Sequence, residues 1–186
     1  MKRLFDIATA LAGLIVLSPL LLGLAIAVRL ESPGPALHWS RRVGRRNRIF
    51  AMPKFRSMRT DAPDVPTHKL ADPQLWVTPL GRFLRRTSLD ELPQLWSVLK
   101  GDMSLVGPRP ALHSQDDLVA LRTAAGVDAL RPGLTGWAQI NGRDELPIPE
   151  KARLDREYLD RMSLAFDVKI LAATARAALS GRGVSH

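Results

Sequence analysis

Residues 7–28 read IATALAGLIVLSPLLLGLAIAV, and no charged side chain interrupts them. Wound as one straight helix, such a stretch extends roughly 33 Å, enough to cross a bilayer core of about 30 Å. Lys2, Arg3 and Asp6 precede the run; Arg29 and Glu31 end it. Three readings fit. One is an ordinary spanning helix. Another is a cleaved secretory signal, with Lys2 and Arg3 as its basic region and Ala25-Ile26-Ala27 at the cleavage site. Against it, the run outlasts the ~7–15 apolar residues of such signals, and Asp6 fits their pattern poorly. The third turns on Ser18-Pro19. Proline removes a backbone donor and clashes with the turn before it, so the helix is expected to kink or break there. The Ser18 hydroxyl is then available to a freed carbonyl. A sharp break returns the chain to the face it entered, and basic residues at both ends (Lys2, Arg3; Arg29, Arg41, Arg42) suit two cytoplasmic ends. The pattern by itself does not separate spanning from re-entrant.

The 186 residues allow one compact domain beside this segment, and a hydrophobic content of 46% argues against wholesale disorder. With no cysteine, disulfides, thiolate metal sites and a cysteine nucleophile are excluded. The balance of 27 Lys and Arg against 18 Asp and Glu gives a formal charge of +9. Such a surface seeks phosphate, whether on nucleic acid, anionic lipid, nucleotide or pyrophosphate.

After the turn-rich Ser32-Pro33-Gly34-Pro35, residues Ala36 to Ser40 and Ile49 to Met52 are expected to pair as a short hairpin around Gly44, with Pro53 ending the second strand. The proline-rich Asp61–Pro79 reads as loop. Helical periodicity covers about Leu80–Arg86, Leu89–Leu99, Ser114–Ala125, Pro149–Met162 and Asp167–Leu179. Gly101–Pro110 and Arg131–Arg143, rich in Gly, Pro and Arg, lie between them as irregular loops. The expected class is α+β, predominantly helical. His38, His68, His113 and His186 have no metal-ligand spacing. P-loop, dinucleotide-binding and serine-hydrolase signatures do not occur.

Chemistry concentrates in Arg85-Arg86-Thr87-Ser88-Leu89-Asp90-Glu91-Leu92-Pro93. Ser88 and Glu91 have capping-box spacing and in the plainest reading only start a helix. Alternatively the helix begins at Pro93, with the acidic pair just before it. A carboxylate among arginines stays ionised and serves as nucleophile or metal ligand. Neighbours on a helix point about 100° apart, so Asp90 and Glu91 suit distinct roles rather than one chelate. Gly107-Pro108-Arg109-Pro110 is a rigid turn that presents one guanidinium, suited to a bidentate clamp on phosphate. Arg131-Pro132-Gly133-Leu134-Thr135-Gly136-Trp137-Ala138-Gln139-Ile140-Asn141-Gly142-Arg143 offers turn glycines, two amides and two arginines. That set suits a nucleotide pocket, or else a surface loop around a core Trp137. Lys54-Phe55-Arg56-Ser57-Met58-Arg59 reads best as a solvated basic strand facing headgroups.

Together, Lys54–Met58, Ser88–Pro110 and Arg131–Arg143, in this order behind the Ser18-Pro19 break, resemble the bacterial sugar transferases called monotopic phosphoglycosyl transferases, over about Arg3 to Val184. The resemblance implies a re-entrant helix-break-helix hairpin over residues 1–31, broken at Ser18 and Pro19. It places a catalytic domain over residues 32–186 on the cytoplasmic face of a bacterial inner membrane. It implies transfer of a sugar 1-phosphate from a UDP-sugar to polyprenyl (undecaprenyl) phosphate, with Asp90 as nucleophile, UMP as leaving group and Mg²⁺ as cofactor. Asp90 then lies against the metal and Glu91 supports it, while Arg85, Arg109, Arg131 and Arg143 are candidate substrate contacts. Membrane lipids are expected partners, a homodimer is compatible, and nucleic acid is not expected. Where relatives often read Gln-x-Arg-Pro-Gly, this chain has Ser40-Arg41-Arg42-Val43-Gly44. The competing readings are a membrane-tethered basic module for nucleic acid or anionic lipid, and an inactive scaffold of a glycan-assembly complex.

Overall fold

The computed structural model describes residues 1–62, 72–142 and 145–180. The apolar run and its flanks form one helix, α1 (Lys2–Glu31), which ends where Ser32 turns extended. The expected break is not present: α1 continues through Ser18 with Pro19 inside it. Proline at position 19 leaves the carbonyl of Ile15 without its helical donor, and the Ser18 hydroxyl donates to that oxygen at 2.8 Å.

Both ends of α1 are fastened to the same body of protein. At the start, Lys2 Nζ donates to Asp167 Oδ2 at 2.6 Å and to the Val106 carbonyl at 3.1 Å. Arg3 donates to the Leu99 and Met103 carbonyls. The Asp6 carboxylate accepts from Ser104 Oγ and the Leu105 amide. At the far end, Arg56 donates to the carbonyls of Val28, Ser32 and Pro33, and the Leu80 amide donates to Glu31 Oε1. Between these anchors Ala10, Leu24 and Val28 are buried, and Leu95 packs against the helix at Gly13. Leu11, Ile15, Val16, Leu20, Leu22 and Ile26 face outward. A helix so fixed presents one apolar face to its surroundings along its length.

The hairpin pairs β1 (Leu37–Val43) antiparallel to β2 (Ile49–Phe55), from Leu37 opposite Phe55 to Val43 opposite Ile49. Pro53 does not end β2. A two-stranded ladder has only edges, and Pro53 is tolerated there opposite Trp39. The chain continues through α2 (Pro79–Thr87), α3 (Gln94–Lys100), β3 (Ser104–Val106), α4 (Asp116–Ala124), β4 (Gly133–Thr135), the single turn α5 (Trp137–Ile140), α6 (Ile148–Arg161) and α7 (Leu164–Ser180). Among the described residues the class is thus mostly helical, with two two-stranded sheets. The second sheet departs from expectation: β3 and β4 run parallel, Ser104 beside Gly133 and Val106 beside Thr135, inside the two stretches expected to be irregular. This pairing needs close approach. A Cβ on Gly133 would lie 2.1 Å from the Gly107 amide nitrogen, and one on Gly136 2.0 Å from the Gly107 carbonyl oxygen.

The main core gathers Ala10 of α1, Met52 of β2, Leu95 and Val98 of α3, Leu105 and Val106 of β3, Tyr158 of α6 and Phe166 and Ile170 of α7. On α6, Leu154 and Tyr158 are buried, while Met162 just beyond its end is exposed. Tyr158 donates to Asp167 at 2.6 Å; burial and that bond push its phenol pKa up. Helix α7 packs on the domain through Ile170 and through Thr174, whose hydroxyl meets that of Thr135.

Candidate active site

The periodicity that predicts one helix over Leu89–Leu99 resolves into a 3₁₀ turn, Leu89–Glu91, and then α3, with Pro93 at its N-cap. Proline in a second helical turn would waste a hydrogen bond, so the helix starts after it. Ser88 is no N-cap. It closes α2 in a left-handed conformation (φ 57°) and makes no side-chain cap bond. Freed from a capping box, Glu91 points elsewhere.

Its carboxylate accepts from Lys54 Nζ at 2.7 Å and from Arg109 Nη2 at 3.2 Å. Lys54 also stands 3.9 Å from Asp90 Oδ2. Strand β2, the 3₁₀ turn and the loop after β3 therefore meet at two carboxylates. Burial alone would raise the pKa of Glu91, but the charges and hydrogen bonds of Arg109 and Lys54 prevail and hold it at about 2. Asp90 is 7% exposed. Arg85, from the last turn of α2, donates its Nε to Ser57 Oγ at 2.8 Å. Burial lowers its pKa, and the charge of Asp90 acts against that, which places the two side chains in one electrostatic neighbourhood.

The sequence-derived set thus divides. Asp90, Glu91, Arg85 and Arg109 converge. Arg131 does not join them: its Nε donates to the Gly101 carbonyl at 2.9 Å, and it lines a separate cavity. Arg143 lies outside the described residues. The reading of Lys54-Phe55-Arg56 as a solvated strand is overturned. Lys54 is drawn in to the acidic pair, and Arg56, 7% exposed, caps the end of α1. A signal for Lys54 is present in the chain, since it opens the Lys54–Met58 block that carries part of the family resemblance. Only the packing of β2 against the 3₁₀ turn brings it to Glu91. Trp137 packs on the core beside Phe166, ring centroids 5.1 Å apart, while both polar ends of the buried Gln139 carboxamide lack a protein partner among the described residues.

For a metal the donor set is small. No group of three or more His, Asp or Glu side chains gathers among the described residues, so a protein cage is excluded there. Mg²⁺, however, is commonly bound by one or two carboxylates plus substrate phosphates and water. Asp90 satisfies that pattern better than Glu91, which already holds two cations.

The chain matches the family model described as bacterial sugar transferase over residues 1–181. It is 41% identical to an undecaprenyl-phosphate glucose phosphotransferase of Komagataeibacter xylinus, over 97% of this chain and 36% of that protein. It is 41% identical to the uncharacterized sugar transferase EpsL of Bacillus subtilis, over 100% of this chain and 91% of the relative. It is also 41% identical to a UDP-glucose:undecaprenyl-phosphate glucose-1-phosphate transferase of Escherichia coli, over 94% and 39%. The chain thus spans little more than a third of the length of the first and last of these relatives.

Proposed function

Because this chain belongs to the bacterial sugar transferase family, we propose that it transfers a sugar 1-phosphate from a UDP-sugar to undecaprenyl phosphate. The relatives from Komagataeibacter and Escherichia carry that acceptor in their names. The observation that carries the reading to particular residues is the unequal treatment of the two carboxylates. Glu91 binds both Lys54 and Arg109 directly, whereas the same Lys54 stands back from Asp90 Oδ2 at 3.9 Å.

In this mechanism an Asp90 Oδ attacks the sugar-bearing phosphorus of the donor. The new Oδ–P bond forms as the bridging P–O bond to UMP breaks. An oxygen of undecaprenyl phosphate then attacks the same phosphorus, the Oδ–P bond breaks, and Asp90 is restored with the diphosphate-linked sugar as product. Glu91 holds Lys54 and Arg109 in place, so that both cations face the entering phosphates. Arg85, desolvated beside Asp90, contributes further positive potential. Mg²⁺ held by Asp90 and the donor diphosphate would offset charge on the leaving UMP.

Helix α1 supports a placement in the membrane. Its two ends are fastened to one domain and its outward face is apolar, which favours a helix dipping into one leaflet over one crossing both. The basic residues at both ends of the run support a catalytic domain on the cytoplasmic face, at the depth where a lipid-borne phosphate meets a soluble donor.

Incubating the detergent-solubilised protein with Mg²⁺ and a panel of UDP-sugars, without acceptor, should leave a sugar-phosphate mass increment on Asp90 for the accepted donor. UMP release on adding undecaprenyl phosphate with no such adduct at any time would refute the covalent route.

A further inference from the structure

A cavity of about 380 Å³ lies apart from the acidic site. It lies at the tip of the β1–β2 hairpin and is bounded by Arg45, Arg46 and Arg48 on one side and by Gly101, Asp102 and Arg131 on the other. Four guanidinium groups thus face a single carboxylate in its lining, and Asp102 has Lys100 3.0 Å away. Arg45 and Arg131 are steered by backbone carbonyls, Arg45 Nε donating to Ala129 and Arg131 Nε to Gly101. The side chains of Arg46 and Arg48 make no hydrogen bond or ion pair with any described residue. We propose that this cavity binds the phosphate group of an anionic ligand, through Arg46 and Arg48 closing on Arg45 and Arg131.

Backbone geometry at the tip points the same way. The Arg48 amide donates to the Arg45 carbonyl at 3.3 Å, and Arg46 and Asn47 both have positive φ, 53° and 57°. That is the form of a type I′ turn, in which glycine, asparagine and aspartate are at ease. Asn47 suits its place and its side chain donates to Thr123 Oγ1 at 2.9 Å. Arginine at 46 does not: the left-handed conformation crowds a side chain with a Cβ, and its guanidinium makes no hydrogen bond or ion pair among the described residues that offsets this. A local rule broken without structural return marks a functional position.

Depth favours a lipid source. The cavity wall at Gly101 adjoins Arg3, whose Nη2 lies 3.4 Å from where a Cβ on Gly101 would sit, and Arg3 stands four residues before the uncharged run begins. The cavity is therefore level with the headgroups if α1 enters the bilayer. The lipid assignment rests on the membrane placement proposed above and on none of the transfer chemistry.

Titrating the full chain in an uncharged detergent with soluble dihexanoyl phosphatidylglycerol, dihexanoyl phosphatidylcholine and inorganic phosphate tests this. Hydrogen exchange across residues 44–50 reports occupancy. Saturable protection is expected, with affinity falling tenfold or more in Arg46→Asn/Arg48→Gln, a pair that also relieves the turn and so should fold. Arg153→Gln, on the outer face of α6, should bind like wild type. Protection by phosphatidylglycerol alone assigns the site to a charged lipid headgroup; equal protection by inorganic phosphate assigns it to a soluble phosphate ligand. Unsaturable binding, protection equal for phosphatidylcholine and phosphatidylglycerol, or a double variant indistinguishable from wild type would overturn the proposal. UMP release is measured in parallel, so that a failure of the transfer reading is seen separately.

Discussion

One β-hairpin carries basic residues at both ends, and the two ends use them in opposite ways. At its base, Lys54 and Arg56 are engaged: Lys54 with Glu91 and Asp90, Arg56 with three carbonyls at the end of α1. At its tip, Arg46 and Arg48 meet no hydrogen-bond or ion-pair partner among the described residues, in a turn whose backbone would prefer another residue at 46. Charge in a sequence therefore says little about what the charge is for. An engaged cation organises the protein, while the unengaged pair at the tip is the one proposed to meet a phosphate.

The contrast can be broken at several points. The largest effect is expected from Asp90→Asn, the group the base cations surround. Turnover of UDP-sugar to UMP should fall on the order of 10³-fold or more, as removal of a nucleophile does. Near-normal turnover would remove Asp90 from the mechanism and leave the base as mere scaffolding.

Next comes Lys54→Met. Without that ammonium 2.7 Å away, Glu91 is left to Arg109, and its pKa should rise from about 2 toward 4.5. Carboxylate NMR of the labelled protein would show it. A depressed carboxylate pKa contributes stability that is fully present above 4.5 and lost as the pH falls toward about 2. Acid unfolding of the variant should therefore begin at higher pH than in wild type. An unchanged Glu91 titration would show that the 2.7 Å pair is not what holds it down.

Arg56→Lys sharpens the structural half of the comparison. An ammonium cannot reproduce the fork that spans Val28, Ser32 and Pro33. A loss of about 1–3 kcal/mol is expected, seen as a drop of several degrees in Tm in detergent. The smallest effect has the opposite sign. Arg46→Gly should raise stability by about 0.5–1 kcal/mol, because glycine accepts the left-handed conformation and one repelling charge leaves the tip. Destabilisation by that variant would mean that Arg46 serves the fold just as Lys54 does.

Several features are legible in the order of residues alone. The apolar run, the hairpin around Gly44, and the helices over Leu80–Arg86 and Pro149–Met162 follow from periodicity and turn signals, while the grouping of Asp90 and Glu91 with Arg85 and Arg109 follows from the family resemblance. The rest is hidden for identifiable reasons. The three-residue strands β3 and β4 show no alternation to read, and they pair because glycines at 107, 133 and 136 admit backbone against backbone. Ser88 and Glu91 imitate a capping box, yet Pro93 delays the helix and releases Glu91 toward Lys54. Pro53 looks like a strand terminator because the sequence does not announce a sheet made only of edges.

Sequence by itself determined that an uncharged helix would seek an apolar medium, that the chain would be strongly basic, and where an acidic pair stands among arginines. These properties reside in single residues and their near neighbours. Tertiary structure alone decided that Lys54 faces Glu91 across 37 positions of chain, that Arg131 leaves the expected pocket for another, and that both ends of α1 are tied to one domain. Each of those depends on distances between segments remote in the chain, which are fixed only when the core closes and the hairpin register is set.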